Sequence, residues 1–280
     1  MDIYSAITQG AKVLKENFFL NSYLDAEILM THVIKKDREY LLSNQNKDLS
    51  MEDFNNFYEL IINRSNGNPI AYLTNKKFFW NSEFVVTKHT LIPRPDTELI
   101  VENVLKLSKN KNKLNILDIG IGSGCILLSI LKEKQDFYGT GIDISKNCLN
   151  ISKINAIKLK VSSRLKFYKS DVDKFSLGKY DLIVSNPPYI NKQDIKYLDS
   201  DVADFEPKLA LDGGLDGLSE IRKVIKKSSE LIKKNGKLIL EIGFDQKNKV
   251  IDMLRNYGFY INSAQKDLAN NDRCIICTKI

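Results

Sequence analysis

The chain has 280 residues, of which 43% are hydrophobic and 28% are charged. This balance is typical of a soluble globular protein, and it excludes a disordered or membrane-embedded chain. No apolar run approaches the roughly 18 residues that a membrane-spanning helix needs, and the N-terminal residues lack the pattern of a signal peptide. We therefore expect a cytoplasmic protein without a membrane partner.

The formal net charge of +7 is unevenly distributed along the chain. Residues 1–85 contain 9 basic and 11 acidic residues, whereas residues 86–280 contain 33 and 24. A positive second part would attract an anionic partner such as RNA or a ribonucleoprotein. Lysine-rich helices that only solvate the surface would give the same count, so the role of the charge stays open.

Residues 1–66 have the spacing of amphipathic helices, with apolar side chains at intervals of three and four from Ile7 to Phe18. Ser22 and Ser50 are each followed three residues later by an aspartate. A hydroxyl and a carboxylate at this spacing satisfy free amide groups at the start of a helix. We therefore expect both serines to cap helices.

After residue 66 the sequence is rich in β-branched and aromatic residues and is bounded by prolines, which predicts a linker with a hairpin. Beyond it, strand patterns alternate with helical ones, which predicts an α/β fold on a mostly parallel, doubly wound sheet. We expect a helical domain at 1–70, a hairpin linker at 71–92 and an α/β domain at 93–280. The predicted strands are 115–120, 138–144, 164–171, 180–186 and 236–243, with a closing pair at 259–264 and 273–280.

The four cysteines, Cys125, Cys148, Cys274 and Cys277, show no disulfide framework, which is usual in a reducing compartment. The last two have CxxC spacing, but a zinc site needs a second nearby pair, and the others lie in different predicted elements. Side chains alternate along a strand, so residues three apart point to opposite faces. We therefore expect the last two thiols on opposite faces of the final strand, and no metal site.

The first predicted strand leads into the glycine-rich loop from Asp118 to Gly124, DIGIGSG, which opens a helix. Glycines let the backbone approach a ligand, and free amides at a helix start suit a carboxylate or diphosphate. The third glycine comes one position too early for the G-x-G-x-x-G pattern of NAD enzymes. Asp143, after the second strand, is placed to accept hydrogen bonds from both hydroxyls of a ribose, and Asp171, after the third, from an adenine amino group.

These three strand ends together predict a nucleoside cofactor, and the poor fit to NAD favours S-adenosylmethionine. Structural alternatives exist, because Asp118 could cap a turn and Asp143 could cap the following helix. The candidate cofactor-binding residues are Gly120, Ile121, Gly122, Ser123, Gly124, Asp143, Asp171 and Asn186.

The fourth strand ends in Asn186-Pro187-Pro188-Tyr189, the most specific motif in the chain. Adjacent prolines could form only a rigid corner, but that does not explain the amide and the aromatic ring that flank them. A planar NH₂ group is a poor nucleophile because its lone pair is delocalised. The Asn186 oxygen and the Pro187 carbonyl can each accept one N–H of such a group, and Tyr189 can stack on its plane. This orientation predicts methyl transfer to an amide or amine nitrogen, with Asn186, Pro187 and Tyr189 catalytic and Pro188 completing the substrate pocket.

Along nearly its whole length the chain resembles the HemK-like protein-(glutamine-N5) methyltransferases. The NPPY motif is shared with DNA adenine and some RNA methyltransferases, whereas the other matching segments are more particular to this family. The segments that carry the resemblance are GNPIAYL (67–73), LIPRPDTE (91–98), the loop 118–124, SNPPYI (185–190), FEP (205–207), AL (210–211), GGLDGL (213–218), EIG (241–243), Gln246 and DR (272–273).

The resemblance implies a seven-stranded, Rossmann-like class I methyltransferase sheet, joined by a hairpin to a small helical domain that helps to recognise the substrate protein. It also implies S-adenosyl-L-methionine as cofactor. The implied substrate is the glutamine of a Gly-Gly-Gln loop in peptide chain release factors, whose side-chain amide enters the pocket from Asn186 to Tyr189 and is methylated on N5, which modulates translation termination.

The chain departs from the family pattern at a few positions. Ile121 stands where threonine is usual, Asn75 where glycine is common, and Trp80-Asn81 in place of a frequent aromatic-glycine pair. The first change could alter the packing of the cofactor loop. The others lie in the linker, away from the proposed reactive groups.

Two other readings compete with this one. A DNA or RNA amino-nitrogen methyltransferase would use the same chemistry and profit from the positive second part, but the acidic first part and the lack of a base-reading module argue against a nucleic-acid target. A ribosome-associated binding protein with a decayed site would not need Asp143, Asn186 and Tyr189 together. The sequence does not identify the preferred release factor, and since nothing in it demands a dimer we expect a monomer.

Overall fold

The computed structural model describes residues 1–280 and contains eleven α-helices and nine β-strands. The helices are α1 (Ile3–Glu16), α2 (Ser22–Ile34), α3 (Arg38–Ser43), α4 (Met51–Ser65), α5 (Ile70–Thr74), α6 (Glu98–Leu107), α7 (Cys125–Glu133), α8 (Lys146–Lys158), α9 (Ser200–Ala203), α10 (Ser219–Leu231) and α11 (Lys247–Asn256). The strands are β1 (Lys76–Phe79), β2 (Ser82–Val85), β3 (Asn115–Ile119), β4 (Tyr138–Asp143), β5 (Leu165–Lys169), β6 (Tyr180–Ser185), β7 (Ile232–Glu241), β8 (Phe259–Lys266) and β9 (Asp272–Lys279). None of the helices is long and apolar enough to cross a membrane.

The chain forms two compact units. The first comprises Met1–Lys76 with Asp199–Phe205, and the second comprises Lys77–Leu198 with Glu206–Ile280. The boundary between Lys76 and Lys77 falls within 71–92, and the three-part division of the chain given above stays a prediction.

The first unit is helical and has its own apolar core. A Cβ atom placed on Gly10 of α1 would lie 2.8 Å from the ring of Phe57 in α4, so only glycine permits this close approach of the two helices. Leu14, Met30 and Ile61 are completely buried around the contact. Burial of side chains of this size stabilises the unit by about 1.5–3 kcal/mol each.

The two predicted serine caps have different outcomes. Ser50 is the N-cap of α4, where its hydroxyl accepts from the Asp53 amide at 3.0 Å and donates to the Asp53 carboxylate at 2.7 Å. The prediction for Ser22 is wrong, because Asn21 occupies the N-cap of α2 and makes no side-chain capping bond. Asp25 instead accepts a 2.8 Å hydrogen bond from Arg64 in α4. Its carboxylate therefore forms an ion pair between two helices rather than part of a helix cap.

The second unit contains a seven-stranded sheet in the order β5-β4-β3-β6-β7-β9-β8. The first five of these strands are parallel, and β9 runs antiparallel to both β7 and β8. All seven predicted strands are present, with ends displaced by a few residues. The predicted fold class is therefore confirmed.

Apolar side chains cover both faces of this sheet. Along β9, Cys274 packs into one buried cluster and Cys277 into the other, which agrees with the predicted alternation. Burial raises the pKa of both thiols, so they stay neutral and act as small apolar side chains.

The first two strands form a hairpin whose two-residue turn, Trp80-Asn81, has positive φ at both positions, 43° and 48°. This is the backbone of a type I′ turn, which favours asparagine or glycine. The Trp80 amide and indole N–H donate to Glu98 and Glu133 at 2.8 and 3.1 Å, so an aromatic residue is held in an unusual conformation by two carboxylates. Phe79 joins the core of the second unit.

Strand order places the two predicted motifs side by side. The strand β3 lies between β4 and β6, where the strand order reverses, and ligands bind in the crevice at such a point. Ile119 is in register with Ser185, whose hydroxyl donates to the Ile119 carbonyl at 2.7 Å. The residues that follow, Gly120 and Asn186, therefore begin adjacent loops.

Candidate active site

A cavity of about 350 Å³ opens at the carboxyl ends of β3, β4, β5 and β6. All of its lining residues belong to the second unit. Those that the sequence predicted are Gly120, Ile121, Gly122, Ser123, Asp143, Asp171, Asn186, Pro187 and Pro188. Gly124 and Tyr189 do not line it. The cavity thus brings together the predicted cofactor loop and most of the predicted reactive motif.

The glycine-rich loop has a backbone that few other residues could adopt. Gly120, Gly122 and Gly124 have φ values of 76°, 57° and 85°. Gly124 is the N-cap of α7, and a Cβ there would lie 2.7 Å from the Leu128 side chain. It therefore shapes the loop and the helix start, although it does not face the cavity.

Two buried side chains of α8 hold the loop from behind. The Ser152 hydroxyl donates to the Gly122 carbonyl at 2.8 Å, and the Asn155 amide donates to the Ser123 carbonyl at 2.9 Å. Both side chains are completely buried. These two hydrogen bonds fix the positions of the loop carbonyls relative to α8.

Ile121 is 4% exposed and packs over Gly141 of β4. A Cβ on Gly141 would lie only 2.2 Å from the Ile121 Cδ1 atom. Ile121, which stands where the family usually has threonine, therefore fills the space that Gly141 leaves open in the neighbouring strand.

Asp143 is fixed by two backbone amides. Its Oδ2 accepts from Gly122 at 3.0 Å and its Oδ1 from Ser145 at 2.8 Å. Burial raises the pKa of this carboxyl, and the two amides oppose that shift. Each oxygen keeps a second lone pair, so the carboxylate retains the capacity to accept hydrogen bonds from a ligand.

Asp171 caps the short 3₁₀ turn Val172–Lys174 by accepting from the Asp173 amide at 2.9 Å, and it lines the cavity. The capping bond uses Oδ1 and holds the side chain at the end of β5. Asp171 therefore combines a capping role with a place at the cavity wall. The alternative that Asp143 caps the following helix is wrong, because Ser145 is the N-cap of α8.

The Asn186 amide nitrogen donates to the Thr97 hydroxyl at 3.0 Å. Thr97 is 2% exposed, lines the cavity, and ends the 3₁₀ turn Pro95–Thr97 before α6. With its nitrogen engaged, Asn186 leaves its side-chain oxygen available as an acceptor. The NPPY motif predicts that this oxygen accepts a hydrogen bond from the N–H of the target amide.

Tyr189 directs its hydroxyl away from the cavity, into the protein. The hydroxyl donates to Glu241 Oε1 at 3.2 Å and accepts from Arg273 Nη1 at 3.4 Å. Burial beside the Glu241 carboxylate raises the pKa of this phenol. Its predicted stacking on the target amide stays a prediction.

The backbone after the prolines is held by Gln246, which is 6% exposed. Its amide nitrogen donates to the carbonyls of Tyr189 at 2.9 Å and Gly217 at 3.0 Å, and its oxygen accepts from the Gly243 amide at 2.9 Å. One side chain therefore joins three of the segments on which the family resemblance rests.

A second polar contact joins two further segments. Arg94 and Glu206 form an ion pair, and Glu206 also accepts from the Ile92 amide at 3.1 Å. The Glu206 carboxylate is 1% exposed, whereas Arg94 lines the cavity. The pair holds the 91–98 segment at the cavity wall.

Sequence reasoning missed the roles of Thr97, Glu241 and Asp118. Thr97 lies in the segment 91–98, which carries the resemblance, and Glu241 lies in the predicted strand 236–243, but neither was assigned a contact with the reactive motif. Asp118 was noted as a turn cap, but it is 1% exposed, and neither of its carboxylate oxygens has a hydrogen-bond partner. Burial raises its pKa to about 7. The backbone amide of Leu127 in α7 opposes this shift, and Asp118 does not line the cavity.

These residues fit S-adenosylmethionine. The cofactor has a ribose diol and an adenine amino group, which match the acceptors Asp143 and Asp171 at the cavity wall. The space in front of Gly120 is open, since a Cβ atom placed there would meet nothing within 4 Å. The backbone of the loop can therefore be approached closely by a ligand at this position.

Two protein-family models match the chain. Residues 95–203 match the methyltransferase small domain family, and residues 5–74 match the PrmC N-terminal domain family. These matches confirm the prediction of a methyltransferase that uses S-adenosylmethionine.

Several relatives align along the chain. It is 37% identical to the release factor glutamine methyltransferase of Clostridium acetobutylicum, over 100% of this chain and 99% of that protein. It is 38% identical to the release factor glutamine methyltransferase of Clostridium botulinum over the full length of both. The bifunctional methyltransferase of Rickettsia typhi is 38% identical over 90% of this chain but only 52% of its own length, so the chain spans about half of that protein.

Among solved structures, the [4+2]-cyclase SpnF superposes with a TM-score of 0.50 and 14% identity, over 72% of this chain and 85% of that one. This likeness shows the fold alone. Because the release factor glutamine methyltransferases of the two Clostridium species align along the whole chain at 37% and 38% identity, the chain belongs to the family of release factor glutamine methyltransferases.

Proposed function

We propose that the chain transfers a methyl group from S-adenosylmethionine to the side-chain amide nitrogen, N5, of the glutamine in the Gly-Gly-Gln loop of peptide chain release factors. The observation that carries this proposal is the Asn186 amide, whose nitrogen is held by Thr97 while its oxygen stays available beside the cofactor loop. The family names and the full-length identity to the two Clostridium proteins support the choice of substrate.

We propose that Asp143 binds the ribose hydroxyls and Asp171 the adenine amino group of the cofactor, with the loop 120–124 against its remaining part. When bound, the cofactor supplies an electrophilic methyl group on a sulfonium. The protein contributes orientation rather than a general base. Two acceptors, Asn186 Oδ1 and the Pro187 carbonyl, each take one N–H of the target amide and so fix the plane of its nitrogen.

No side chain beside Asn186 has to remove the proton before attack. The amide nitrogen becomes acidic as it gains positive charge, and the two acceptors already hold its hydrogens. The N–C bond would form as the methyl–sulfur bond of the cofactor breaks, and the proton of the methylated nitrogen would then pass by way of one of these acceptors to solvent. Preorganised acceptors of this kind favour the transition state because they need no rearrangement at the moment of reaction.

A nucleic-acid target is the competing proposal, since the NPPY motif alone serves either substrate. The experiment that separates them is transfer of labelled methyl to purified release factor, to its Gly-Gly-Gln glutamine-to-alanine variant, to DNA and to RNA, with the modified atom located by mass spectrometry. We expect label only on the intact release factor. Label on nucleic acid instead would keep the chemistry and overturn the substrate. The monomeric state and the cytoplasmic location stay predictions.

A further inference from the structure

The excess positive charge of the chain is confined to one stretch of 25 residues. Residues 146–170 contain six lysines, one arginine and no acidic residue. Taking these seven from the 42 basic residues of the chain leaves 35, which equals the number of acidic residues. The rest of the chain is therefore neutral, and the net charge of +7 belongs to this stretch.

The stretch folds as one edge of the second unit. It forms α8, the turn that follows, and β5, which is the outermost strand of the sheet. Helix α8 packs against β4 and β5. Lys169 of β5 is in register with Asp143, which precedes Lys146 by three positions. Lys146 and Lys169 therefore lie at the same end of this edge, next to the part of the cavity wall that Ser145 and Ser170 form.

Four exposed lysines lie on the α8 side of this edge. We call them the α8 surface: Lys146, Lys153, Lys160 and Lys169. The first two share a face of α8 because they are two turns apart, about 10.5 Å along the axis, and the third follows seven residues later, just past the helix end. The fourth points to the same face of β5 as Leu165 and Phe167, which pack in the cluster that contains Leu149 and Ala156 of α8.

None of the four lysines forms an ion pair or a side-chain hydrogen bond. Lys158, in the same helix, pairs with Glu83 at 2.6 Å, and Arg164 donates to backbone carbonyls at the end of α7. Lysines on other faces, such as Lys223 and Lys233, pair with carboxylates at 2.7 and 2.8 Å. The α8 surface therefore keeps its positive charges uncompensated.

Uncompensated lysines suit a polyanion. A chain of phosphates neutralises them and releases its own counterions, and such contacts read no sequence. A protein partner fits less well, because protein interfaces are depleted in lysine and enriched in aromatic residues, and residues 146–163 contain no aromatic residue. Ile154 and Ile157 are the only large apolar side chains exposed on α8.

We propose that the α8 surface binds the phosphate backbone of RNA. None of the four lysines lines the cavity, so the RNA lies beside the cavity and is a docking partner rather than the methyl acceptor. The choice of RNA over DNA rests on the proposed function, because release factors act in translation and the ribosome is built largely of RNA. The net charge of the chain thereby acquires a role.

The test measures the binding of a labelled single-stranded RNA of about 16 nucleotides by fluorescence anisotropy, at salt concentrations from about 50 to 200 mM. The α8 variant combines Lys146→Gln, Lys153→Gln, Lys160→Gln and Lys169→Gln, which remove charge and keep length. The matched control changes four exposed lysines that form no ion pair on other elements, and it loses the same net charge: Lys106→Gln, Lys109→Gln, Lys234→Gln and Lys249→Gln.

We expect the wild type to bind RNA with a dissociation constant on the order of 10⁻⁴ to 10⁻⁶ M. Each phosphate neutralised on a single strand contributes about 0.7 to the slope of log affinity against log salt, so four lysines give a slope of about −3. The α8 variant should bind about tenfold or more weakly and lose most of this slope, whereas the control should stay within about threefold of the wild type.

Three results would overturn the inference. Equal losses in the two variants would mean that net charge, and not this surface, attracts RNA. A wild type that does not bind RNA would remove the partner. Tighter binding of single-stranded DNA of the same sequence than of RNA would remove the choice of RNA.

A footprint on the wild type needs no variant. Bound RNA should protect the lysines of the α8 surface from acetylation, as read by mass spectrometry, and leave Lys106 and Lys249 reactive. Protection of Lys106 and Lys249 with a reactive α8 surface would contradict the proposal.

Methyl transfer to free release factor separates this inference from the proposed function. Without RNA, kcat/KM should stay within about twofold of the wild type in both variants. Methyl transfer by a protein that does not bind RNA would defeat the inference alone, whereas RNA binding without methyl transfer would remove the substrate and leave the phosphate site. A KM for release factor that rises about tenfold in the α8 variant, with unchanged RNA affinity, would assign the surface to an acidic protein and overturn the proposal.

Discussion

The side-chain nitrogen of Gln246 lies 2.9 Å from the backbone carbonyl of Tyr189, at the end of the reactive motif. Its other bonds, to Gly217 and Gly243, are also short and buried. The loop that must hold the target therefore depends on a residue that does not touch the target.

Replacing Gln246 by alanine would leave two carbonyls and one amide without their partner. Because buried unsatisfied groups cost about 1–3 kcal/mol, we expect the free energy of unfolding to fall by about 2–3 kcal/mol and kcat to fall with little change in cofactor affinity. Urea unfolding and steady-state kinetics measure both. Gln135→Ala, at an exposed position, is the control, and a Gln246→Ala enzyme as stable as this control would show that the loop is held by other contacts.

Asn186→Ala should lower turnover about 10²- to 10³-fold, because it removes one preorganised acceptor. The affinity for S-adenosylmethionine should be nearly intact. Single-turnover methyl transfer together with calorimetry tests this, with the exposed Asn110→Ala as control. Full turnover in Asn186→Ala would exclude the proposed role of the amide.

Asp143→Ala should weaken cofactor binding before it affects turnover at saturation. The carboxylate holds the Gly122 and Ser145 amides as well as the proposed ribose, and a hydrogen bond to a charged group contributes about 1.5–3 kcal/mol. We therefore expect the dissociation constant of S-adenosylmethionine, measured by calorimetry, to rise about tenfold or more. Asp252→Ala, on the exposed side of α11, should bind as the wild type does. Unchanged affinity in Asp143→Ala would mean that the ribose is held elsewhere.

Asp118→Asn should change stability in a pH-dependent way. A carboxyl whose pKa is raised to about 7 in the folded state binds more protons folded than unfolded between about pH 4 and 7. The stability of the cofactor-free wild type should therefore fall as the pH rises through this window. We expect Asp118→Asn to be the more stable protein at pH 8 and to lose most of that advantage at pH 5, in urea unfolding at both values. Equal advantage at both values would contradict the raised pKa.

Gly141→Ala should disturb the cofactor loop through Ile121. The added methyl group would lie 2.2 Å from the Ile121 side chain, and overpacking of a core typically costs about 1–3 kcal/mol. Combining it with Ile121→Ala should recover part of the stability and of the cofactor affinity, so that the two changes are not additive. Additive losses in urea unfolding and calorimetry would mean that the two residues do not share this space.

Much of the fold follows from the sequence because strands buried on both faces contain continuous apolar runs, as in residues 238–240. The glycine-rich loop and the NPPY motif could be recognised from the sequence because ligands of a doubly wound sheet bind beyond the carboxyl ends of its strands. The supporting contacts could not be found in this way. Asp25 pairs with Arg64, 39 positions away, and no local pattern distinguishes that ion pair from a cap.

Thr97 and Glu241 illustrate the same limit at the site. Thr97 accepts a hydrogen bond from Asn186, 89 positions away, and Glu241 accepts one from Tyr189, 52 positions away. Such contacts depend on how the packed segments meet, which no local pattern in the sequence shows.

The position of β9 has a consequence for how the sheet is made. It lies between β7 and β8, both of which precede it in the chain, so β7 has no neighbour on that side while the chain is being synthesised. A parallel sheet with an open apolar edge is exposed to pairing with other chains. We expect the backbone groups at this edge of β7 to stay unpaired until residues 272–279 have been synthesised and β9 has formed.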